Sequence, residues 1–230
     1  MKFSLLVRAL GLLSLVLILP LSADVAVTSL GVNCTYDANA IAGNAGLCTA
    51  VTGATTITFD GLTSGQLSPY TNGIATYSWG TSTNSPFVSG SVSGQYAAPP
   101  NDNTTYLTVG SGLPGRPNPV TIDFSKPISY FGMYLGSPDS YNVLAFNNGV
   151  LVKQFTGFSP ANGDQSIGQY LNFNATDSSS YFNQIVMTSN TAAFETDNHA
   201  YTAVPDGGMT LMLLGGALVG LETLRRKFRT

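Results

Sequence analysis

Apolar and polar residues alternate along most of residues 55–203, in short runs that end at Gly, Asn, Pro or Asp. A period of two places successive side chains on opposite faces of an extended chain, so it predicts β-strands. No stretch of this region carries ten residues of helical periodicity without a breaker. The predicted strands are Thr55–Phe59, Ile74–Trp79, Thr104–Val109, Val120–Phe124, Ile128–Leu135, Tyr141–Phe146, Val150–Phe155, Ile167–Phe173, Phe182–Thr188 and Ala193–Val204.

The turns between these runs indicate antiparallel pairing. Asn147-Asn148-Gly149 separates two apolar runs, and Asn and Gly tolerate the left-handed backbone of a tight hairpin turn. About ten short strands in one region predict an all-β fold, an antiparallel two-sheet sandwich of jelly-roll-like type. A closed up-and-down sheet is the alternative architecture.

The N-terminal residues follow a different pattern. Lys2 and Arg8 precede an apolar run over Ala9–Leu19, and Pro20-Leu21-Ser22-Ala23 ends it with small residues. This order is typical of a secretory signal peptide and is too short for a membrane span. We therefore predict that residues 1–23 are removed, with cleavage after Ala23.

The C-terminal residues 204–230 contain three unlike pieces in a fixed order. The turn-forming residues Val204, Pro205, Asp206, Gly207 and Gly208 come first, the apolar run Met209–Leu224 follows, and the chain ends in the basic residues Arg225, Arg226, Lys227 and Arg229. This order resembles the PEP-CTERM sorting signal of exported bacterial proteins, in its VPDGG-type variant. The resemblance implies a membrane helix, processing by an exosortase-type enzyme and a cell-surface destination. The family's second Pro is replaced by Gly207, which leaves the cleavage position open.

An ordinary C-terminal membrane anchor is the alternative to a sorting signal, with its basic end kept on the cytoplasmic side by the positive-inside rule. Met209–Leu224 is shorter than the roughly 20 residues that a relaxed span requires. Glu222 and the glycines Gly215, Gly216 and Gly220 weaken it further. The pattern favours a signal that is processed over a permanent anchor.

Charge separates the termini from the rest of the chain. Between residues 24 and 203 only Arg116, Lys126 and Lys153 oppose ten acidic residues, a formal charge of −7. Nucleic-acid phosphates require clustered Lys and Arg, which this region lacks, so a nucleic-acid partner is excluded. The length suits one domain with a sizeable core.

Two cysteines, Cys34 and Cys48, lie near the predicted mature N terminus. In an exported chain an isolated pair favours a disulfide over a metal site or a nucleophile. The segment around them has little apolar periodicity, so the crosslink would hold what packing does not. We therefore predict a disulfide-tied segment over residues 24–54, ahead of a sandwich domain over residues 55–203.

Three stretches of the predicted sandwich extend the resemblance to exosortase-dependent surface proteins. They are Tyr130–Asn142, Phe155–Gly157 and Ala193–Asn198, and the likeness covers roughly residues 120–203. It implies a β-sandwich of the kind shared with carbohydrate-binding modules, and it implies no established activity.

Oxygen-bearing side chains gather at the start of the last predicted strand. Glu195, Asp197 and Asn198 lie there, and Asp60 follows a strand that would pair with it. Carboxylate and amide oxygens are the ligands that Ca²⁺ prefers, so these four residues predict a structural calcium site. A second, weaker cluster is Asp139, Ser140 and Asn142. The competing interpretation is that Asp and Asn simply cap turns.

Aromatic residues offer a second kind of site. Tyr77 and Trp79 share a strand face, and with Tyr96 and Tyr106 they could stack against sugar rings. The polar residues beside them would be Asn84, Asn101, Asp102 and Asn103. Core packing is the competing interpretation, since Trp and Tyr fill sandwich interiors.

Catalytic patterns are weak throughout. Gly110–Gly115 matches a nucleotide-binding pattern, but Pro114, Pro117 and Pro119 forbid the helix that would hold the phosphates. His199 is the only histidine and has no nucleophile within a recognisable pattern. No spacing selects a pair of glycosidase carboxylates among the ten acids. We therefore predict a protein that is not an enzyme.

Together these patterns predict an exported envelope or extracellular-matrix protein of a Gram-negative-type bacterium. Its partners would be the processing exosortase, the membrane before processing, and extracellular polysaccharide. The alternative is a carbohydrate-binding or adhesive module with a defined glycan ligand.

Overall fold

A computed structural model defines the fold of the chain. The residues that it describes are 23–34, 45–63, 65–80, 82–110, 116–158, 168–191 and 194–205, with single positions at 215, 217, 218, 221, 225 and 228. Of the signal peptide predicted over residues 1–23, all but Ala23 lies outside these residues, as does most of the predicted C-terminal helix.

The described residues form fourteen β-strands and one short 3-10 helix, Ser178–Ser180. The first eight strands are β1 Val25–Ser29, β2 Gly31–Asn33, β3 Leu47–Thr49, β4 Thr55–Ile57, β5 Tyr70–Asn72, β6 Ala75–Ser78, β7 Phe87–Ser89 and β8 Thr105–Val109. The remaining six are β9 Val120–Leu135, β10 Asn142–Asn147, β11 Leu151–Thr156, β12 Gln169–Ala175, β13 Phe182–Ser189 and β14 Phe194–Ala203. All of the pairings between them are antiparallel, so the predicted all-β antiparallel class is confirmed.

Twelve of the strands join one branched sheet, and β9 is the strand on which it branches. The first half of β9 lies between β6 and β13. Its second half lies between β12 and β14. Two sheet limbs therefore diverge from one strand, with β13, β10 and β11 extending the first limb and β14, β8 and β7 extending the second.

The branch point corresponds to Ser125-Lys126-Pro127, which is exposed in the middle of β9. Pro127 has no N–H for a sheet ladder, and it is tolerated at this irregular point. Its carbonyl accepts a hydrogen bond from the N–H of Val204 at 3.0 Å. The two strands predicted over Val120–Phe124 and Ile128–Leu135 are thus one bent strand.

The two limbs face each other across a shared aromatic core, which makes the fold sandwich-like. Phe146 of β10 lies 5.1 Å, centroid to centroid, from Phe173 of β12, although these strands are not paired. Phe155 of β11 lies 5.2 Å from the same ring. Burial follows the period of two along β10, whose pattern alternates between buried and half-buried positions. Contact across the limbs therefore comes from the inward-facing residues of each strand.

The strands β2 and β3 form a separate hairpin that lies on the second limb. The predicted disulfide between Cys34 and Cys48 is confirmed, and it ties the end of β2 to β3. Thr49 Oγ1 lies 2.6 Å from the hydroxyl of Tyr130 on β9. The Asn172 amide on β12 donates to Leu30 O at 2.8 Å, just before β2. The hairpin is thus attached by side-chain hydrogen bonds as well as by the crosslink.

Candidate functional site

Five consecutive polar residues of β14 are buried. Glu195, Thr196, Asp197, Asn198 and His199 are each no more than 1% exposed. They are inside because β14 lies between β9 on one side and β8 and β4 on the other. Burial of polar groups is costly unless each one finds a partner, so the contacts of this segment determine what it can do.

A β-bulge interrupts the segment. The register of β14 against β9 shifts between Asp197 and Ala200, and Asn198 adopts a positive φ of 50°. The side-chain Nδ2 of Asn198 donates to Ala45 O at 2.7 Å and to Leu47 O at 3.2 Å. Asn198 thereby connects β14 to the disulfide-tied hairpin and acts through its N–H groups.

His199 is a fully satisfied core histidine. Its Nδ1 lies 3.0 Å from the hydroxyl of Tyr77, and its Nε2 lies 2.9 Å from Thr196 Oγ1. The rings of Phe59 and Phe131 approach it edge-on, each with a centroid distance of 5.1 Å. Burial lowers the pKa of His199 to about 3, so the imidazole is neutral at physiological pH. The structure places it where it orders the core, away from any surface substrate.

Asp197 meets a carboxylate that sequence reasoning did not place beside it. Thr104 Oγ1 lies 2.6 Å from Asp102 Oδ1 and 3.3 Å from Asp197 Oδ2. A hydroxyl has one proton, so Thr104 can serve one of the two carboxylates at a time. The other oxygens, Asp102 Oδ2 and Asp197 Oδ1, are buried and accept no hydrogen bond from any described residue.

The electrostatics of this pair follow from its burial. Burial raises the pKa of Asp197 well above its usual range, and the charge of Asp102, a hydrogen bond with the Asp102 side chain and the charge of Asp60 add to that effect. A hydrogen bond from the Asn198 backbone acts in the opposite direction and lowers the pKa of Asp197. Two acidic groups in one low-dielectric place therefore call for a positive charge between them, either a proton or a metal ion.

Glu195 is a separate buried carboxyl. Its Oε1 accepts a hydrogen bond from Ala97 N at 2.9 Å, which fixes the loop before β8 against β14. Burial raises the pKa of Glu195 to about 7, while the Ala97 amide and the Ser137 hydroxyl act against that rise. The group thus changes charge near neutral pH inside the fold.

The four predicted calcium ligands are only partly brought together. Asp60 follows β4, which pairs with β14 as expected. The negative charge of Asp60 helps to raise the pKa of Asp197. Glu195 and Asn198 make the other contacts described above. Among the residues that the structure describes, no group of three or more Asp, Glu, His or Cys is arranged to hold a metal ion. Calcium at this set of residues therefore stays a prediction.

The prediction that Tyr77 and Trp79 form a sugar-stacking surface is wrong. Tyr77 has no exposed surface and Trp79 is 4% exposed. Tyr77 packs edge-on to Phe59 at 5.4 Å, and Trp79 packs edge-on to Phe87 at 5.7 Å. Sugar stacking requires an exposed ring face, whereas the inward positions of β6 and the residue after it point into the core.

One cation and one ring do meet near the surface. The guanidinium of Arg116 lies 4.6 Å from the ring centroid of Tyr96, and its Nη2 donates to Gln95 Oε1 at 2.9 Å. A concavity of about 700 Å³ opens beside Arg116. Its lining includes Trp79, Ser82, Thr83, Asn118 and Thr121. The lining thus combines hydroxyl, amide and guanidinium groups beside one aromatic ring.

Most of the predicted sorting signal lies outside the described residues. Val204 and Pro205 are described, whereas Asp206, Gly207, Gly208, Arg226, Lys227 and Arg229 are not. Arg225 is one of the single described positions. No helix among the described positions is long and apolar enough to cross a membrane.

The fold and its contacts define a class: an antiparallel all-β, disulfide-bonded protein with a buried acidic segment on its last strand. No protein-family model matches the chain, and neither the curated proteins nor the solved structures with which it was compared contain a match. Any function must therefore be argued from the residues themselves.

Proposed function

We propose that this chain is an exported, exosortase-sorted protein of the bacterial cell envelope or extracellular matrix, whose jelly-roll-like β-sandwich is not catalytic. In this proposal the sandwich is the surface-exposed part and associates with extracellular polysaccharide. The two limbs that diverge from β9 are the two sheets of the sandwich. Residues 204–230 are the sorting signal, read by an exosortase-type enzyme while the apolar run holds the chain in the membrane.

The observation that carries the proposal is the place where the last described strand ends. β14 ends at Ala203, immediately before Val204-Pro205-Asp206-Gly207-Gly208, the apolar run and the basic cluster. The N–H of Val204 still bonds to Pro127 O, at the end of this strand. Removal of the residues after this point would cost the sandwich none of its strands.

The other end of the fold agrees with export. β1 begins at Val25, directly after the predicted cleavage at Ala23, and it pairs with β12 along its whole length. The N–H of Asp24 donates to Ser180 Oγ at 2.8 Å, and its carboxylate pairs with Lys153 Nζ at 2.8 Å. Disulfides such as Cys34–Cys48 persist in oxidising compartments outside the cytoplasm.

The absence of catalytic chemistry is also part of the proposal. Glu195, Asp197 and His199, the titratable groups at the start of β14, are each no more than 1% exposed. A substrate in solution cannot reach them in this conformation. The acidic and histidine groups of β14 therefore support a structural role.

Intact mass spectrometry of the protein recovered from its native envelope tests the sorting proposal. We expect a species that starts at Asp24, lacks the residues beyond the 204–208 region and is two hydrogens lighter than the reduced form. A matched variant with Arg225, Arg226, Lys227 and Arg229 all changed to Ser should retain the apolar run and accumulate uncleaved. Recovery of the wild-type chain ending at Thr230 would rule out sorting and leave a permanent anchor.

The second candidate function is a carbohydrate-binding module, and the concavity beside Arg116 favours it. Its hydroxyls, its amide and one guanidinium are the groups that hydrogen-bond sugars. We expect the Arg116→Ala variant to lose retention on the host polysaccharide, and the Lys126→Ala variant, changed at the exposed bend of β9, to keep it. Equal retention of both variants on the polysaccharide would contradict a glycan site at this concavity.

A further inference from the structure

Two carboxylates meet in the interior without enough hydrogen-bond donors. Asp102 comes from the loop before β8, and Asp197 comes from β14. The register of β8 against β14, in which Leu107 faces Thr196, lays that loop over Asp197. Thr104 gives Asp102 Oδ1 two bonds, from its N–H at 2.9 Å and from its hydroxyl at 2.6 Å. The same hydroxyl is 3.3 Å from Asp197 Oδ2 and has no second proton.

A second observation points to a ligand at this place. Asp102 is 7% exposed and Asp197 is 0% exposed, and Asp102 Oδ2 and Asp197 Oδ1 have no hydrogen-bond partner among the described residues. Native proteins leave few buried carboxylate oxygens unpaired, because each one costs a substantial desolvation free energy. The side chains that act on Asp197 are Asp102, through its charge and through a carboxyl–carboxyl hydrogen bond, and Asp60, through its charge. No positive side chain is among the groups that act on it.

We propose that Asp102 and Asp197 bind a calcium ion between them, which fastens the loop before β8 and the disulfide-tied hairpin to β14. The unpaired oxygens Asp102 Oδ2 and Asp197 Oδ1 are the carboxylate ligands. This site differs from the one predicted from the sequence, because Asp102 is a ligand and Glu195 and Asn198 are not. It does not depend on the sorting proposal.

The chemistry of the site selects the ion. All of its available donors are oxygens, which excludes the nitrogen and sulfur environments that zinc prefers. Magnesium requires near-ideal octahedral geometry and gives up its waters reluctantly. Calcium accepts carboxylate, carbonyl and hydroxyl oxygens in irregular geometry, and exported modules bind it with dissociation constants of about 10⁻⁴ to 10⁻³ M.

The disulfide-tied hairpin of β2 and β3 covers the site. Gly46 N donates to Asn101 O at 3.0 Å, one residue before Asp102. A Cβ at Gly46 would lie 3.4 Å from Asp102 Oδ2 and would overlap the Tyr134 ring, so the backbone approaches here as closely as glycine allows. Asn198, next to Asp197, holds Ala45 O and Leu47 O. Both proposed ligands are thus adjacent to residues that bond the hairpin.

Equilibrium binding of ⁴⁵Ca²⁺ and thermal unfolding of the full chain in detergent test the proposal. We expect one calcium per chain. We also expect a rise in Tm of about 5 °C when free Ca²⁺ exceeds the dissociation constant about a hundredfold, with a smaller rise in Mg²⁺. Calcium should also slow hydrogen exchange at the Gly46 amide, because the ion holds Asp102 beneath the hairpin.

Matched Asp→Asn variants separate the ion from a shared proton. Asp102→Asn and Asp197→Asn should each weaken ⁴⁵Ca²⁺ binding at least tenfold and abolish the Tm response. Asp123→Asn, changed at an exposed carboxylate of β9, should behave as wild type. If the wild-type chain binds no calcium, the proposal is overturned, and this measurement does not depend on the folding of any variant. If Asp197→Asn still binds one calcium at wild-type strength, the ion lies elsewhere and the assignment is equally wrong.

Discussion

Glycine at one position makes room for a buried hydrogen-bond network. Gly132 lies in β9 opposite Asn172, with the Tyr130 and Tyr170 hydroxyls directly over its Cα. The Tyr130 hydroxyl donates to Asn172 Oδ1 at 2.7 Å, and the Tyr170 hydroxyl donates to Asn198 O at 2.9 Å. These two bonds link β9, β12 and the bulge of β14.

A methyl group at this position should therefore destabilise the protein. In Gly132→Ala the new Cβ would overlap both hydroxyls, so we expect the free energy of unfolding to fall by about 1–3 kcal/mol, measured by urea denaturation. Gly65→Ala is the control, because no described atom lies within 4 Å of a Cβ built there. Equal stability of the two variants would mean that the tyrosines can move aside freely.

Asp177 offers a residue-scale test of pH dependence. Its carboxylate caps the 3-10 helix by accepting from Ser179 N at 2.8 Å and Ser180 N at 3.1 Å. Hydrogen bonding from Ser179 lowers the pKa of Asp177 below its usual value of 3.8. The folded state therefore binds this proton less readily than the unfolded state. The stabilisation is present above about pH 4 and is lost as pH falls through the folded pKa.

We accordingly expect Asp177→Asn to lower the Tm at pH 7 and to matter less as the pH falls below 4. Thermal unfolding of wild type and variant across pH 2–7 measures this difference. Asp123→Asn serves as the control, since its carboxylate accepts from a side chain, Gln184 Nε2, rather than from helix amides. A Tm difference that stayed constant with pH would show that charge is not what makes the cap effective.

At the scale of the elements, the β10–β11 hairpin and the bend in β9 show what periodicity can and cannot predict. Asn147-Asn148-Gly149 predicted the hairpin, and β10 pairs with β11 around that turn, where Gly149 has a φ of 72°. The break predicted at Ser125-Lys126-Pro127 is a bend within one strand. A proline ends a regular ladder, but the strand changes partners there and continues.

Short strands escaped prediction for a different reason. β2, β3, β5 and β7 have three residues each, too few for a period of two to be recognised. The hairpin of β2 and β3 buries little of itself, since only Cys48 and Thr49 are buried in it. Its position depends on the disulfide and on contacts with other strands, which local sequence does not encode.

Removal of the disulfide should consequently weaken this element. For Cys34 and Cys48, which are 14 positions apart, the chain-entropy model assigns about 3 kcal/mol to the crosslink. We expect the double variant Cys34→Ser and Cys48→Ser to lose about that much in urea denaturation. Hydrogen exchange should rise first at Gly46 and Leu47. Wild type under reducing conditions is the control, and an unchanged free energy of unfolding would show that the hairpin contacts suffice alone.

At the scale of the whole molecule, strand pairing decides which residues form the candidate site. The acidic and amide residues at 195–198 indicated Asp197 as a candidate ligand. No feature near Asp197 in the sequence indicated Asp102. Asn101–Asn103 instead suggested a glycan surface. Only the pairing of β8 with β14 brings Asp102 to Asp197, and pairing between distant strands leaves no local pattern. Likewise, Tyr77 and Trp79 have the same alternation whether their face is a core or a surface.

β14 should accordingly decide whether the domain folds. It pairs with β4, β8 and β9, more partners than most strands have, and buries its first eight residues. We expect a chain ending at Pro205 to unfold at the Tm of the mature protein, and a chain ending at Thr191 to show no cooperative transition by circular dichroism. A cooperative transition in the shorter chain would mean that the limbs are stable without β14.

The place of β14 in the chain also sets the order of events during biogenesis. β4, β8 and β9 all pair with β14, and β14 is the last of the fourteen described strands to be synthesised. Pairings between residues so far apart form slowly, because the intervening chain must first be ordered. In the proposed export, a chain still in transit would lack its last strand and could pass unfolded through a narrow channel. The sheet would close only after residues 194–203 had crossed.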